Sequence, residues 1–254
     1  MKLLTLARDL QRRRARERQR LFVAEGVRSV EELLRSDLPV QGAIVSPTLA
    51  TSPRGDVLRT SLAARNVPIL EVDGHDFATA ASTESPQGVL AIAKIPERQL
   101  ASLVLPPVAR LLLLDGVQDP GNVGTLVRTA AAFGVAATLA MPGTVDLWNG
   151  KVVRSAMGAL FHHPVLTCTW HELDGFLSAH PVTVWGAEAD GEPLEQLRPP
   201  FPLAMAIAVG NEGAGLSPAA AQRVARRVAI RTRPDVESLN VAVAAGILLH
   251  HFQS

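Results

Sequence analysis

The chain has 254 residues, 47% of them hydrophobic, with 25 basic against 24 acidic side chains and a formal net charge of +1. That length supports one large domain or two modest ones with real cores, and the overall charge gives no sign of a nucleic-acid partner. The only cysteine, Cys168, excludes an internal disulfide and a cysteine-built metal site and favours a reducing compartment.

Met1-Lys2-Leu3-Leu4 opens as a signal peptide would, but an arginine run replaces the apolar region that should follow. No segment reaches the roughly 18–20 apolar residues that span a bilayer, so a cytoplasmic protein with no membrane partner is expected. Residues 3–20 read as a polar helix in which seven arginines, Arg8 to Arg20, face only Asp9 and Glu17. Apolar runs at 21–24, 43–45, 67–70 and 88–93 alternate with helical stretches at 27–36 and 56–65, which implies a small α/β sandwich over 1–95. Pro96, Pro106 and Pro107 mark a linker over 96–108.

From 109 to 254 the pattern changes. Apolar runs at 111–114, 136–141, 182–185, 203–209 and 228–230 are continuous rather than alternating, as in parallel strands buried on both faces. Helices are expected at about 123–133, 151–162, 171–179 and 217–227, the last starting at Ser217-Pro218 with a capping hydroxyl and a proline in the first turn. A final helix at about 237–252 is apolar nearly all round and belongs in a core or a subunit interface. The fold class is therefore α/β, with a mostly parallel sheet in the C-terminal domain.

Ligands of open α/β sheets bind at the carboxyl ends of the strands, where three loops deserve scrutiny: 115–124, 210–217 and 230–240. None carries the phosphate-binding Gly-x-x-x-x-Gly-Lys-Ser/Thr loop, and Gly116, Gly121 and Gly124 do not make Gly-x-Gly-x-x-Gly. An ATPase and an ordinary dinucleotide dehydrogenase are thus disfavoured. Taken singly, each loop is as consistent with a tight turn as with a binding site.

In order, however, Asp-Pro-Gly-Asn-Val-Gly-Thr-Leu-Val-Arg-Thr-Ala (119–130), Gly-Asn-Glu-Gly-Ala-Gly-Leu (210–216) and Ser-Leu-Asn-Val-Ala-Val-Ala (238–244) resemble the three motifs of the SpoU (TrmH-like) family of the SPOUT superfamily. The stretch 151–159 is similar to the family's sequence between the first two motifs. Residues 20–26 and 85–91 resemble the N-terminal substrate-binding domain of its rRNA-directed members. The resemblance implies a C-terminal domain with a deep trefoil knot, an exception to the rule against threaded chains, beside a smaller ribosomal-protein-like domain. It also implies S-adenosylmethionine as cofactor and 2′-O-methylation of ribose in structured RNA, rRNA rather than tRNA, by a homodimer paired through the knotted domains.

By position, Gly210, Ile230 and Leu239 match the family's cofactor-contacting residues, and Arg128, Asn122, Glu212, Ser238 and Asn240 its catalytic ones. The family arginine at Arg128 is assigned proton abstraction from the hydroxyl. A guanidinium with a pKa above about 12 is a poor base, so a charged Arg128 holding phosphate and stabilising an alkoxide is the competing role. Asn122 and Asn240 would fix loop geometry, Glu212 would orient Arg128 or the loop backbone, and Ser238 has helix capping as an alternative. Two positions depart from the pattern: Arg231-Thr232 replaces the usual Pro-Met, and Ala242 replaces serine. Within an RNA enzyme the Arg8–Arg20 run reads as phosphate-binding, and His162-His163 as structural, the family needing no metal. The alternatives are a non-catalytic RNA-binding or ribosome-assembly factor and a tRNA 2′-O-methyltransferase.

Overall fold

The computed structural model describes residues 2–233, 235–236 and 238–253. Two compact units emerge, Met1–Glu97 with Trp148–His162 and Arg98–Leu147 with His163–Ser254.

In the first unit the expected long N-terminal helix is two, α1 (Lys2–Asp9) and α2 (Arg13–Gln19). Arg16 occupies the break. Its guanidinium is buried and donates to the carbonyls of Leu10 (2.7 Å) and Gln11 (2.8 Å), which follow the end of α1; a cation is favoured there by the helix dipole. The chain continues through β1 (Leu21–Glu25), α3 (Val27–Arg35), β2 (Val40–Val45), α4 (Pro53–Ala64), β3 (Ile69–Glu71), α5 (Gly74–Ala78) and β4 (Val89–Lys94). The sheet order is β1-β4-β2-β3, with β4 antiparallel to both neighbours and β2 parallel to β3. Central β4 is buried on both faces: Leu90 and Ile92 pack with Leu4, Leu10, Ile44 and Phe77, while Val89, Ala91 and Ala93 alternate to the other side. Helix α5 carries too little apolar periodicity to be read from sequence, and Asp73 starts it by accepting from the Asp76 N–H at 2.7 Å.

The chain next forms β5 (Ala109–Leu114), α6 (Pro120–Ala132) and β6 (Ala137–Ala140). Two short helices follow, α7 (Gly150–Ser155) and α8 (Ala159–His162), where one had been expected over 151–162. Met157 and Gly158 break it, both at positive φ (52° and 91°). At Gly158 a side chain would also collide with Glu32, 2.6 Å from its Cγ. These helices pack in the first unit, where the buried Phe22 ring meets Trp148 at 4.6 Å and Phe161 at 5.7 Å.

The second unit continues with β7 (Val165–Thr167), α9 (Trp170–Ala179), β8 (Val182–Pro193), β9 (Ala204–Val209), α10 (Pro218–Ala221), β10 (Arg226–Ala229) and α11 (Val241–Phe252). Its six strands are all parallel, in the order β10-β8-β9-β5-β6-β7. Strand β7 is too short to stand out in the sequence. Strand β8 runs well past the expected 182–185 because its far half is charged: Glu188 and Glu192 pair with Arg227 (2.9 Å) and Arg226 (2.6 Å) of β10. The same pairing ends α10 early, since Arg226 and Arg227 belong to a strand rather than to the expected helix over 217–227. One sheet face packs Leu111, Leu139 and Ala206 against Leu173 and Phe176 of α9. Helix α11 packs against α6 and β9, and the Arg110 side chain holds its last turn by donating from Nε to the Phe252 carbonyl at 2.7 Å.

His163 is buried, with Nε2 2.9 Å from the Thr138 hydroxyl, and Arg98 donates to its carbonyl at 3.0 Å. Burial, with the Arg98 charge, pushes its pKa down from 6.5 to about 4. Between those values the unfolded chain binds a proton that the folded chain refuses, so stability falls as pH drops from 6.5 towards 4, by at most about 3 kcal/mol. Urea unfolding at stepped pH should show this slope, and His163→Gln should flatten it; an unchanged slope would assign the loss to other groups.

Candidate active site

Parallel packing fixes where the three loops emerge. Leu114 of β5 pairs with Val209 of β9, so the first two loops leave the sheet side by side. The third follows β10 and leads into α11.

A single hydrogen-bonded chain ties the three together. The Glu212 carboxylate accepts from the Asn122 side-chain amide at 3.0 Å and from the backbone N–H groups of Gln118 and Asp119, each at 3.3 Å. The Asn122 carbonyl oxygen accepts from the Asn240 amide at 2.9 Å. Asn240 in turn caps α11, its oxygen accepting from the Ala242 and Val243 N–H groups at 2.9 and 3.3 Å. Asn240, not Ser238, is therefore the cap of the last helix. Burial pushes the Glu212 carboxyl up, but bonds from Asn122 and from the N–H groups of Glu212 itself, Gln118 and Asp119 outweigh it, leaving its pKa below the ordinary value. At neutral pH it is an anchored anion and a weak base.

The loops are stiffened from within. Asp119 caps α6 by accepting from the Asn122 N–H at 2.8 Å, with Pro120 in the first turn. Asn211 and Gly215 exchange two backbone hydrogen bonds of 2.9 Å, closing the second loop on itself. Gly210 makes that closure possible: a Cβ there would lie 2.2 Å from the Gly215 carbonyl carbon. The Asn211 side chain donates to the Gly116 carbonyl and accepts from the Gly213 and Ala214 N–H groups, all at 3.0 Å. Buried Asp115 accepts from the Ser217 backbone at 2.6 Å and hydroxyl at 3.1 Å. Thr144, after β6, donates to the Leu114 carbonyl at 2.7 Å and accepts from the Gly116 N–H at 3.1 Å.

Beside this network lies a cavity of about 630 Å³, within the range of small-molecule sites. Gly116, Pro142, Trp170, Asn211, Gly215 and Leu216 contribute to its wall. Two glycines lie in that wall: Gly116 and Gly215 both have positive φ, and a Cβ on Gly215 would meet no atom within 4 Å.

Of the eight residues singled out in the sequence, Asn122, Glu212 and Asn240 are joined directly, and Gly210 holds the second loop closed. Arg128 lies exposed on α6 and Ser238 exposed ahead of α11, and neither side chain has a hydrogen bond or ion pair to another described residue. Half-buried Ile230 and Leu239 do not line the cavity. Sequence reasoning missed Asp115, Thr144 and Asn211 as loop anchors. Asp115 had left a signal, a carboxylate directly behind four leucines of a buried strand. Thr144 had none, because its partners lie 28 and 30 positions back in the chain. Among the described residues no group of three or more His, Cys, Asp or Glu is placed to hold a metal.

The sequence profile of the SpoU rRNA methylase family matches residues 109–250, and that of the MRM3-like substrate binding domain matches 5–91. The chain is 34% identical over 247 residues to the 23S rRNA (guanosine(2553)-2′-O)-methyltransferase RlmP of Bacillus subtilis, covering 97% of this chain and 94% of the relative. It is 35% identical over 179 residues to the 23S rRNA (guanosine-2′-O-)-methyltransferase RlmB of Coxiella burnetii, covering 68% and 71%. The AdoMet-bound rRNA methyltransferase of Sinorhizobium meliloti superposes with a TM-score of 0.86 at 26% identity, over 98% of this chain and 93% of that one. By profile, identity and fold together, the chain belongs to the SpoU rRNA methylase family.

Proposed function

We propose that this protein methylates a ribose 2′-hydroxyl of ribosomal RNA with S-adenosylmethionine as donor. The observation that carries the reading is the Glu212–Asn122–Asn240 chain, which fixes three family motifs at the strand ends beside a cavity of small-molecule size. The cavity suits the cofactor. Its volume is adequate, Trp170, Pro142 and Leu216 offer apolar surface to an adenine, and Gly116 and Gly215 leave space that a Cβ would fill. Gly210, by holding the second loop closed, is proposed to shape the cavity, and Ile230 and Leu239, outside its wall, are proposed to contact the cofactor from the third loop. When bound, the cofactor supplies an electrophilic methyl on a sulfonium.

The chain's own residues supply alignment and charge. Holding a hydroxyl in line for displacement is worth several kcal/mol of barrier, up to about 7–11. Arg128, exposed and free of protein partners among the described residues, is the group available to grip RNA phosphate and to stabilise the developing alkoxide. A charged guanidinium does both without acting as base, and the proton leaves through phosphate or water. Asn122 and Asn240 keep α6, and with it Arg128, in register with the third loop; Ser238 is proposed to meet the ribose or its phosphate. Arg231 and Thr232, in place of the usual Pro-Met, leave the polar network intact, and Ala242 keeps its backbone bond to Asn240.

Residues 1–95 are proposed as the RNA-recognition domain, joined through 96–108 to a methyltransferase domain over 109–254. The arginine run divides into two classes. Arg8 pairs with Asp76, Arg12 with Asp9 and Arg13 with Glu17, and Arg16 is spent on carbonyls. Arg14, Arg18 and Arg20 have no side-chain partner among the described residues and are the ones proposed to meet phosphates. Homodimerisation is proposed through α11, whose Val243 and Ile247, one turn apart, are 52% and 38% exposed. Threading of α11 through a knot accords with its return to pack on α6 and β9 in mid-sheet. No described helix is long and apolar enough to cross a membrane, and a cytoplasmic site of action is proposed from the rRNA substrate.

Labelled methyl from S-adenosylmethionine should enter a 2′-O-methylated nucleoside of rRNA, not of tRNA, with Arg128→Ala lowering kcat/KM by roughly 10²-fold or more. Label in tRNA alone would overturn the substrate class, and cofactor binding without transfer to any RNA would favour an assembly factor. Asn122→Ala should cut turnover about 10-fold or more while leaving the melting temperature within a few degrees, since it loosens exposed loops and not a core. Gly210→Ala should act differently, abolishing cofactor binding in calorimetry because its Cβ displaces the backbone at Gly215; retained binding would refute the closed-loop requirement.

A further inference from the structure

The cavity of about 630 Å³ has a side that the Glu212–Asn122–Asn240 chain does not hold. Trp170, in the first turn of α9, and Pro218 and Ala219, opening α10, line it there. Both helices belong to the second unit. Helix α10 is fixed at its start, where the Ser217 hydroxyl accepts from the Ala220 N–H at 3.2 Å and donates to Asp115 at 3.1 Å. Its connection to α9 is made elsewhere.

One side chain makes it. Arg223, two residues past α10, has a side chain 19% exposed. It donates from Nε and Nη2 to the two oxygens of Asp174, each at 2.6 Å, and from Nη1 to the Ala219 carbonyl at 2.6 Å. Its guanidinium carbon stands 4.9 Å from the centroid of the Trp170 ring. Trp170 and Asp174 lie one turn apart on α9, so a single planar group meets both. Among the described residues no other side-chain hydrogen bond joins α9 to the α10 segment.

An exposed ion pair by itself contributes little. This one differs in geometry: the fork is bidentate, a third N–H is directed at a carbonyl, and the cation sits over an indole, the ring that attracts it most. The hydrogen bond from Arg223 holds the Asp174 carboxyl below the usual carboxylate range, so the pair is charged at neutral pH. A lysine would supply the charge but not three directed bonds from one plane. Trp170 is also the tryptophan with surface to offer. It is half-buried and lines the cavity, whereas Trp148 and Trp185 are buried.

We propose that Arg223 is a positioning residue for the cofactor: anchored on Asp174 and Ala219, it pins the Trp170 ring in the cavity wall, and S-adenosylmethionine binds more weakly when the pin is lost. The inference rests on the placement of the cofactor in this cavity and adds a residue outside the three motifs. Arg223 is not part of the cavity lining, so its effect falls on binding through Trp170 and not on the methyl-transfer step.

Full-length protein labelled with ¹⁵N gives one indole signal for each of its three tryptophans, assigned by single Trp→Phe substitutions. It would be titrated with S-adenosylmethionine, with calorimetry and methyl transfer to rRNA measured in parallel. The Trp170 signal should move and the Trp148 signal stay. Arg223→Gln should raise both Kd and KM for S-adenosylmethionine about 10-fold or more, with kcat within 2-fold and the melting temperature within a few degrees. In a Trp170→Leu background the same substitution should add less than 2-fold, because the two residues act as one. Arg223→Lys, the milder change, should weaken binding about 3-fold or more and carries the test if Arg223→Gln does not fold. Unchanged binding in either folded variant, or the same loss in both Trp170 backgrounds, would overturn the positioning role alone. A silent Trp170 in protein that binds the cofactor would overturn the cofactor's place in this cavity as well. Failure of the unaltered protein to bind S-adenosylmethionine would overturn the functional reading beneath both.

Discussion

The arrangement of this molecule turns on the Glu212 carboxylate. It gathers the Asn122 amide and the N–H groups of Gln118 and Asp119, so the loop after β9 is clamped to the start of α6. Asn122 then hands the connection to Asn240 and α11. Each contact is an ordinary hydrogen bond worth about 1 kcal/mol net, somewhat more where the acceptor is charged. Their value is geometric. Three loops that leave different strands are held to one another by side chains of only two or three rotatable bonds, beside the cavity that the first two help to wall.

That clamp works because the sheet beneath it is rigid. Six parallel strands, the central β9, β5 and β6 buried on both faces, bring every carboxyl end to one edge, and packing at interior density resists local shifts. The C-terminal helix is fixed at both ends, by Asn240 at its start and by Arg110 on the Phe252 carbonyl at its finish. Buried polar groups around the site are paired: Asp115 with Ser217, Thr138 with His163. Arg128 stands apart from this network, exposed and without a side-chain partner among the described residues.

The first unit applies the same physics to a different end. Its sheet is mixed, its centre is the doubly buried β4, and its surface sorts seven arginines into those that hold the fold and those that remain available. Sequence alone could not make that division. Arg16 and Arg18 stand two positions apart in one charge run, yet one is buried on carbonyls and the other is exposed. The difference comes from where α1 ends, which depends on the packing of Leu4, Ala7 and Leu10 under the sheet.

Much of the architecture was legible in the residues. Continuous apolar runs such as 111–114 and 203–209 announce strands buried on both sides, because burial on two faces removes the polar alternation. The order of the motifs around Asn122, Glu212 and Asn240 placed three candidate residues that the fold joins. What failed to show were features with no local apolar signature: the charged half of β8, the short β7, the break at Met157 and Gly158, and the anchor at Thr144. Each depends on partners distant in the chain, Arg226 and Arg227 for β8, Glu32 for Gly158, Leu114 and Gly116 for Thr144. Local sequence determines strand, helix and cap through periodicity and backbone preference. Only tertiary structure decides which charges are paired, which loops share a hydrogen bond and which arginines stay exposed, because those energies arise between residues that the chain itself keeps far apart.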